Sequence, residues 1–207
     1  MNDKGYTVNE IFYSIQGEGA RAGTANIFVR FSGCNLQCSL EGEAGFDCDT
    51  EFTSGRRLFG SDIVGEALKL LPREPMGQIG VIFTGGEPTL QLDSPLIVLF
   101  REAGFYPVCL ETNGLRPAPE GLNWISCSPK TAEHTLQVGH VNELRYVRRA
   151  GMGIPKPSLS ANEFFLSPAV DASGQIHPAD LSWCVKLCLE HPDWRLSTQQ
   201  HKAWRIR

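Results

Sequence analysis

Three cysteines fall within the stretch "GCNLQCSLEGEAGFDCDTEF", at Cys34, Cys38 and Cys48. Thiolates are metal ligands, and three of them so close in sequence raise three readings. A structural zinc site takes four Cys or His ligands. No histidine lies between Met1 and His134, so a fourth ligand would have to come from a distant part of the chain. An iron–sulfur cluster is also held by thiolates, usually four per cubane. Three would leave one iron open to a further ligand, which suits chemistry more than electron storage. Chemically idle, buried cysteines are the third reading, and it fits poorly with a segment rich in glycine and acidic residues.

Other residues could do chemistry beside them. "IQGEG", ending at Gly19, sets two glycines around a carboxylate. Such a stretch makes a tight turn, and it also lets backbone amides and carbonyls approach a planar ligand. Arg30 sits on an otherwise apolar run, "NIFVRF"; facing inward it needs an anionic partner, and its planar fork fits a carboxylate. "TGGEP", Thr84 to Pro88, combines close backbone approach with a carboxylate. Glu111 and His201 are polar candidates at strand ends.

The elements that must position these residues alternate between strand and helix. "ANIFVRFSG" reads as a first strand, "DIVGEALKLL" (Asp62 to Leu71) as a helix, and "GVIFTGG" as a second strand entering a Gly-Gly turn. "SPLIVLFREAG" reads as a helix with Ser94 as N-cap and Pro95 at its first position. "YPVCLETNG", "NWISCSPK", "NELRYVRR" and "EFFLSPAV" are strand-like. A helix over Asp180 to His191 follows, and "WRLSTQQHK" closes as a strand. Little helix signal appears between Ser128 and Asn142 or between Arg149 and Phe164. This pattern predicts an α/β fold: a parallel sheet with crossover helices, built as a partial, six-stranded β/α barrel with its chemistry at the carboxyl ends of the strands.

The 207 residues suit one domain, 1–207, with the cluster loop at about 34–52. The formal net charge of -4 offers no general nucleic-acid surface. The first residues show no secretion signal, and no apolar run approaches a membrane span; the longest, "PLIVLF", reads as buried helix. A cytoplasmic protein without nucleic-acid or membrane partners is expected. In that reducing setting the seven cysteines are not expected to form disulfides. Cys109, Cys127, Cys184 and Cys188 read as small buried hydrophobes.

The cluster loop after the first strand and "TGGEP" after the second resemble the radical S-adenosylmethionine enzymes. Their usual C-x3-C-x2-C spacing is matched in its first gap; in the second, nine residues replace two, and Glu41 stands where the third cysteine is expected. "CDT" at Cys48 to Thr50 resembles the loop end of one branch, the 7-carboxy-7-deazaguanine synthases, with an insertion between the second and third ligands. "EIFYSIQGEG", "FVRFSGCN", "ETNG", "SPK", "NEL" and "LSTQQHK" are similar to that family in kind and order.

The resemblance implies a [4Fe–4S] cluster on Cys34, Cys38 and Cys48. It implies S-adenosylmethionine held by Gly86, Glu87, Ser128, Pro129, Lys130, Ser167, Pro168, Ala169 and Val170, with Glu87 as amine partner. It implies magnesium at Thr50. A pterin substrate would meet Ile15, Gln16, Gly17, Arg30, Thr84, Glu111, Gln199, His201 and the terminal carboxylate of Arg207. The implied reaction converts 6-carboxy-5,6,7,8-tetrahydropterin to 7-carboxy-7-deazaguanine with loss of ammonia, through a 5′-deoxyadenosyl radical. The implied partners are an electron donor such as flavodoxin or ferredoxin and, as a homodimer, a second copy of the chain. Another radical enzyme, such as a glycyl-radical activase, and a zinc-stabilised binding domain are the alternatives.

Overall fold

The computed structural model describes residues 4–39, 41–42, 46, 48, 50–171 and 174–207. Glu41 is described, but much of the insertion that precedes Cys48, and Asp49 after it, lies outside the described residues.

Short apolar runs with β-branched and aromatic residues fold into one nine-stranded sheet, ordered β3-β1-β2-β4-β5-β6-β7-β8-β9. The strands β2 (Ala25–Phe31), β4 (Gly80–Gly85), β5 (Val108–Thr112), β6 (Trp124–Cys127), β7 (Val141–Arg148) and β8 (Ala161–Pro168) are six of the seven strand-like runs read from the sequence. They pair in parallel, and the short β9 (Trp194–Leu196) adds a seventh parallel strand at one edge. At the other edge β1 (Gly5–Ile15) pairs antiparallel with β2, and β3 (Arg56–Phe59) antiparallel with β1. The sequence reading treated the β1 stretch only as a substrate segment. Its strand signal is the buried alternation of Tyr6 and Val8, weakened further on where Glu10, Ile11 and Ser14 stay partly exposed.

Helices α1 (Gly60–Lys69) and α2 (Ser94–Glu102) cover one half of the sheet, and α3 (Pro178–Glu190) the other. The N-cap of α2 is Asp93, not Ser94: Asp93 Oδ1 accepts from Leu96 N at 3.3 Å, and Ser94 is the first helical residue. A carboxylate outcompetes a hydroxyl here because two further donors, from Lys4 and Tyr6, converge on it. The closing segment is not strand throughout. Ser197 N gives a last bond to Leu166 O, after which Gln200–Trp204 turns into a short helix, α4. The polar run after Leu196 has no apolar alternation left to bury.

Two cores fill the fold. One packs Phe31, Phe83, Phe100 and Leu96 under α1 and α2; the other packs Leu144, Leu166 and Cys184 under α3. Cys109, Cys127 and Cys184 are buried as expected, and burial pushes their thiols up to about 12; Cys188 is half-buried. No helix among the described residues is long and apolar enough to cross a membrane.

Candidate active site

The sheet curls so that the loop after β1 meets the chain's last segment: Gln200 N donates to Gly17 O at 3.0 Å, and Ser14 Oγ to Arg207 O at 2.5 Å. The curl encloses a cavity of about 710 Å³ at the carboxyl ends of the parallel strands. Parallel register sets its walls level, with Arg30 beside Thr84 and Val147 beside Ser167.

On one wall stand the three thiols. Cys34 and Cys38 are half-buried and Cys48 is exposed. Burial raises the Cys34 thiol above its ordinary value, and the charges of Glu87 and Cys48 add to this. Burial also raises Cys38, while the Lys130 ammonium pulls it down and Cys48 and Cys34 push it up. The cluster loop rests on the "TGG" turn. Gly85 has φ +120°, and a Cβ there would strike Phe31 O. A Cβ at Gly86 would strike Gly33 O and come within 3.0 Å of Cys34 Cβ. Asn113 Nδ2 donates to Asn35 Oδ1 at 2.8 Å, tying the "ETNG" turn to the same loop.

Arg30 Nη1 pairs with Glu10 Oε1 at 2.6 Å, and its guanidinium lies 5.5 Å from the centre of the Phe12 ring. Its Nε is buried and has no acceptor among the described residues. Gln16 Nε2 donates to Glu111 Oε1 at 3.0 Å.

Residues 15–116 match a family model described as a 4Fe-4S single cluster domain. The chain is 40% identical over 200 residues to the 7-carboxy-7-deazaguanine synthase of Bacteroides thetaiotaomicron, covering 97% of this chain and 98% of that one. It is 38% identical to the synthase of the same name from Bordetella pertussis, over 95% of this chain and 97% of that one. The chain belongs to the 7-carboxy-7-deazaguanine synthase family. The crystal structure of QueE from Escherichia coli shares the fold, with a TM-score of 0.66 at 23% identity over 94% of each chain. An iron–sulfur cluster and S-adenosylmethionine come with this synthase family and its cluster domain.

Nearly every residue that the resemblance singled out lines the synthase cavity. They include Ile15, Gln16, Gly17, Thr50, Thr84, Gly86, Glu111, Ser128, Lys130, Ser167, Pro168, Val170, Gln199, His201 and Arg207. Three do not. Pro129 lines a neighbouring hollow instead, and Ala169 is buried behind the wall, its N donating to Arg148 O at 3.0 Å. Glu87 is 1% exposed. Its carboxylate accepts from Thr89 N and Oγ1, Thr112 Oγ1 and Asn113 N, so it braces two loops and does not face the cavity as an amine partner.

The cavity also holds residues that sequence reasoning missed. Glu10 bridges Arg30 and Arg207, whose Nη2 lies 2.5 Å from its second oxygen. Glu18 and Arg145 pair at 2.9 Å on the floor. The signal for Arg145 was present: it is a cation in the apolar run "LRYV", the same pattern that singled out Arg30.

Proposed function

We propose that this chain converts 6-carboxy-5,6,7,8-tetrahydropterin to 7-carboxy-7-deazaguanine with release of ammonia, a step toward 7-deazapurines such as queuosine. One observation carries the reading: a single cavity is lined by the three thiols, the "TGG" turn, Arg30, Gln16, Glu111 and His201. The bound cluster with S-adenosylmethionine supplies one-electron and hydrogen-atom chemistry.

The chain's own residues do the rest. Cys34, Cys38 and Cys48 would hold the cluster; the turn at Gly85 and Gly86 lets the backbone of the cluster loop lie directly against it, because a Cβ at either would strike Phe31 O or Gly33 O. Lys130, held by a bond from its Nζ to Ser128 Oγ at 2.8 Å, offers positive charge at the same wall. Arg30 holds the substrate carboxylate, and Gln16, Gly17 and Glu111 read the edge of the pterin ring. The Thr50 hydroxyl, half-buried on the wall, is the oxygen offered to magnesium, which retains waters for its other positions. A one-electron donor such as flavodoxin or ferredoxin, a second copy of the chain and a cytoplasmic setting complete the reading. A glycyl-radical activase would need the thiols and "TGGEP" but has no use for the pterin side of this cavity.

Anaerobic preparation tests this. The protein is expected to be brown, to contain iron and sulfide, and to form the deazaguanine and ammonia from the pterin; Cys48→Ala should lose cluster iron and turnover together. Colourless zinc protein, or iron-loaded protein that cleaves S-adenosylmethionine and leaves the pterin unchanged, would defeat it. Thr50→Val, which keeps shape and removes the oxygen, should lose most of the magnesium dependence while retaining iron.

A further inference from the structure

Arg145 lies on β7 with 6% of its side chain exposed, and three carboxylates surround it. Its Nη1 pairs with Glu18 Oε2 at 2.9 Å and its Nη2 with Glu111 Oε2, while its Nε lies 3.3 Å from Glu143 Oε1 as a charge contact without a hydrogen bond. The three come from separate places: the loop after β1, the end of β5, and β7 itself. Glu18 and Glu111 line the cavity; Glu143, 1% exposed, sits beneath it.

Glu143 in turn seats the loop. Its Oε2 accepts from Ala20 N at 2.8 Å, and Gly19 N donates to Ser197 Oγ at 3.0 Å. Gly19 has φ +66°, and a Cβ there would come within 2.6 Å of Glu143 Oε2, so the loop backbone lies directly on that carboxylate. The loop hangs from β1, on the antiparallel side of the sheet, with four strands between β1 and β7. Sheet hydrogen bonds cannot hold it against β7; side chains must. Guanidinium suits the task because its planar fork has five donors, whereas an ammonium is a point charge that cannot span three carboxylates.

We propose that Arg145, acting with Glu143, is the positioning residue for the substrate half of the cavity. It fixes the Gln16–Ala20 backbone and the Glu111 carboxylate in one arrangement before the ligand arrives, so binding does not have to order them. This rests on the pterin reading above only for the identity of the ligand.

Two measurements on the cluster-loaded protein test it. In Arg145→Met, hydrogen exchange at the Gly19 and Ala20 amides should accelerate at least tenfold, while iron content stays at the parent level. For the pterin, KM should rise about tenfold or more, with kcat falling less, as expected when one partner of a buried charge cluster is removed. Arg145→Lys keeps the charge and should fall between parent and Arg145→Met in both measurements, which keeps the test open if the Met variant does not fold. Unchanged amide exchange overturns the proposal, and so does an unchanged KM. A parent protein that leaves the pterin untouched defeats the function proposed above; the exchange measurement, which needs no substrate, still decides whether Arg145 holds the loop.

Discussion

Glu87 shows how a residue's place in the fold changes its chemistry. In "TGGEP" it reads as a carboxylate offered to a ligand amine. In the fold it is buried, and four donors fill its oxygens, at 3.0 and 2.6 Å from Thr89, 2.8 Å from Thr112 Oγ1 and 2.8 Å from Asn113 N. A buried carboxylate so satisfied fixes the loop after β4 to the turn after β5, and with it the strip beside the cluster loop. Glu87→Gln leaves one oxygen and turns an NH2 toward groups that are themselves donors. It should cost about 3 kcal/mol of stability, measured by urea unfolding. A loss below about 0.5 kcal/mol, the scale of an ordinary surface change, would show that the brace carries no load.

At the scale of elements, the "TGG" turn and the cluster loop form one unit. Gly86 N donates to Phe31 O at 3.2 Å, Glu87 N donates to Gly33 O at 2.9 Å, and there is no room for a Cβ at Gly86. Gly86→Ala should push the Gly33–Cys34 backbone outward and lower bound iron after anaerobic loading to well under half of the parent value, with the fold retained by circular dichroism; parent-level iron would refute this coupling. The cap of α2 is a second element-level device. Burial raises the Asp93 carboxyl, but bonds from the Lys4 ammonium, the Tyr6 hydroxyl and Leu96 N outweigh it and hold the group below its usual range. A depressed folded value means the stabilisation is present above the ordinary aspartate value and lost as pH falls through the folded one. Asp93→Ala should therefore cost about 1 kcal/mol near pH 7. The gap to the parent should shrink once the pH drops below about 4. A gap that stays constant on acidification would place the loss in packing, not in charge.

At the scale of the whole molecule, the cavity is closed where the end of β1 and the loop after it meet the chain's last segment. Gly17 is where they touch: a Cβ there would come within 2.7 Å of His201 N and strike the imidazole. Gly17→Ala should force α4 away from the loop after β1, opening the substrate side. The expected result is a KM for the pterin raised about tenfold, roughly 1.4 kcal/mol of lost binding, at unchanged iron content. Turnover with the parent KM would mean that the contact between the loop and α4 plays no part in binding.

The sequence by itself determined the six central strands, their alternation with helices, the three thiols and the glycine turns. Those signals are local: periodicity, spacing and the freedom of glycine are written in a few neighbouring residues. The seams were less legible. Asp93 displaced Ser94 as cap because Lys4 and Tyr6 arrive from a strand far away in sequence. β1 and β3 joined the sheet on its antiparallel side through pairings between distant segments. Only tertiary structure decided which charged residues face one another. Glu10 between Arg30 and Arg207, and Arg145 among Glu18, Glu111 and Glu143, are groups drawn from segments distant in sequence. Burial makes their pairing obligatory, since a charge removed from water needs a partner within reach, and which partner that is depends on how the sheet curls.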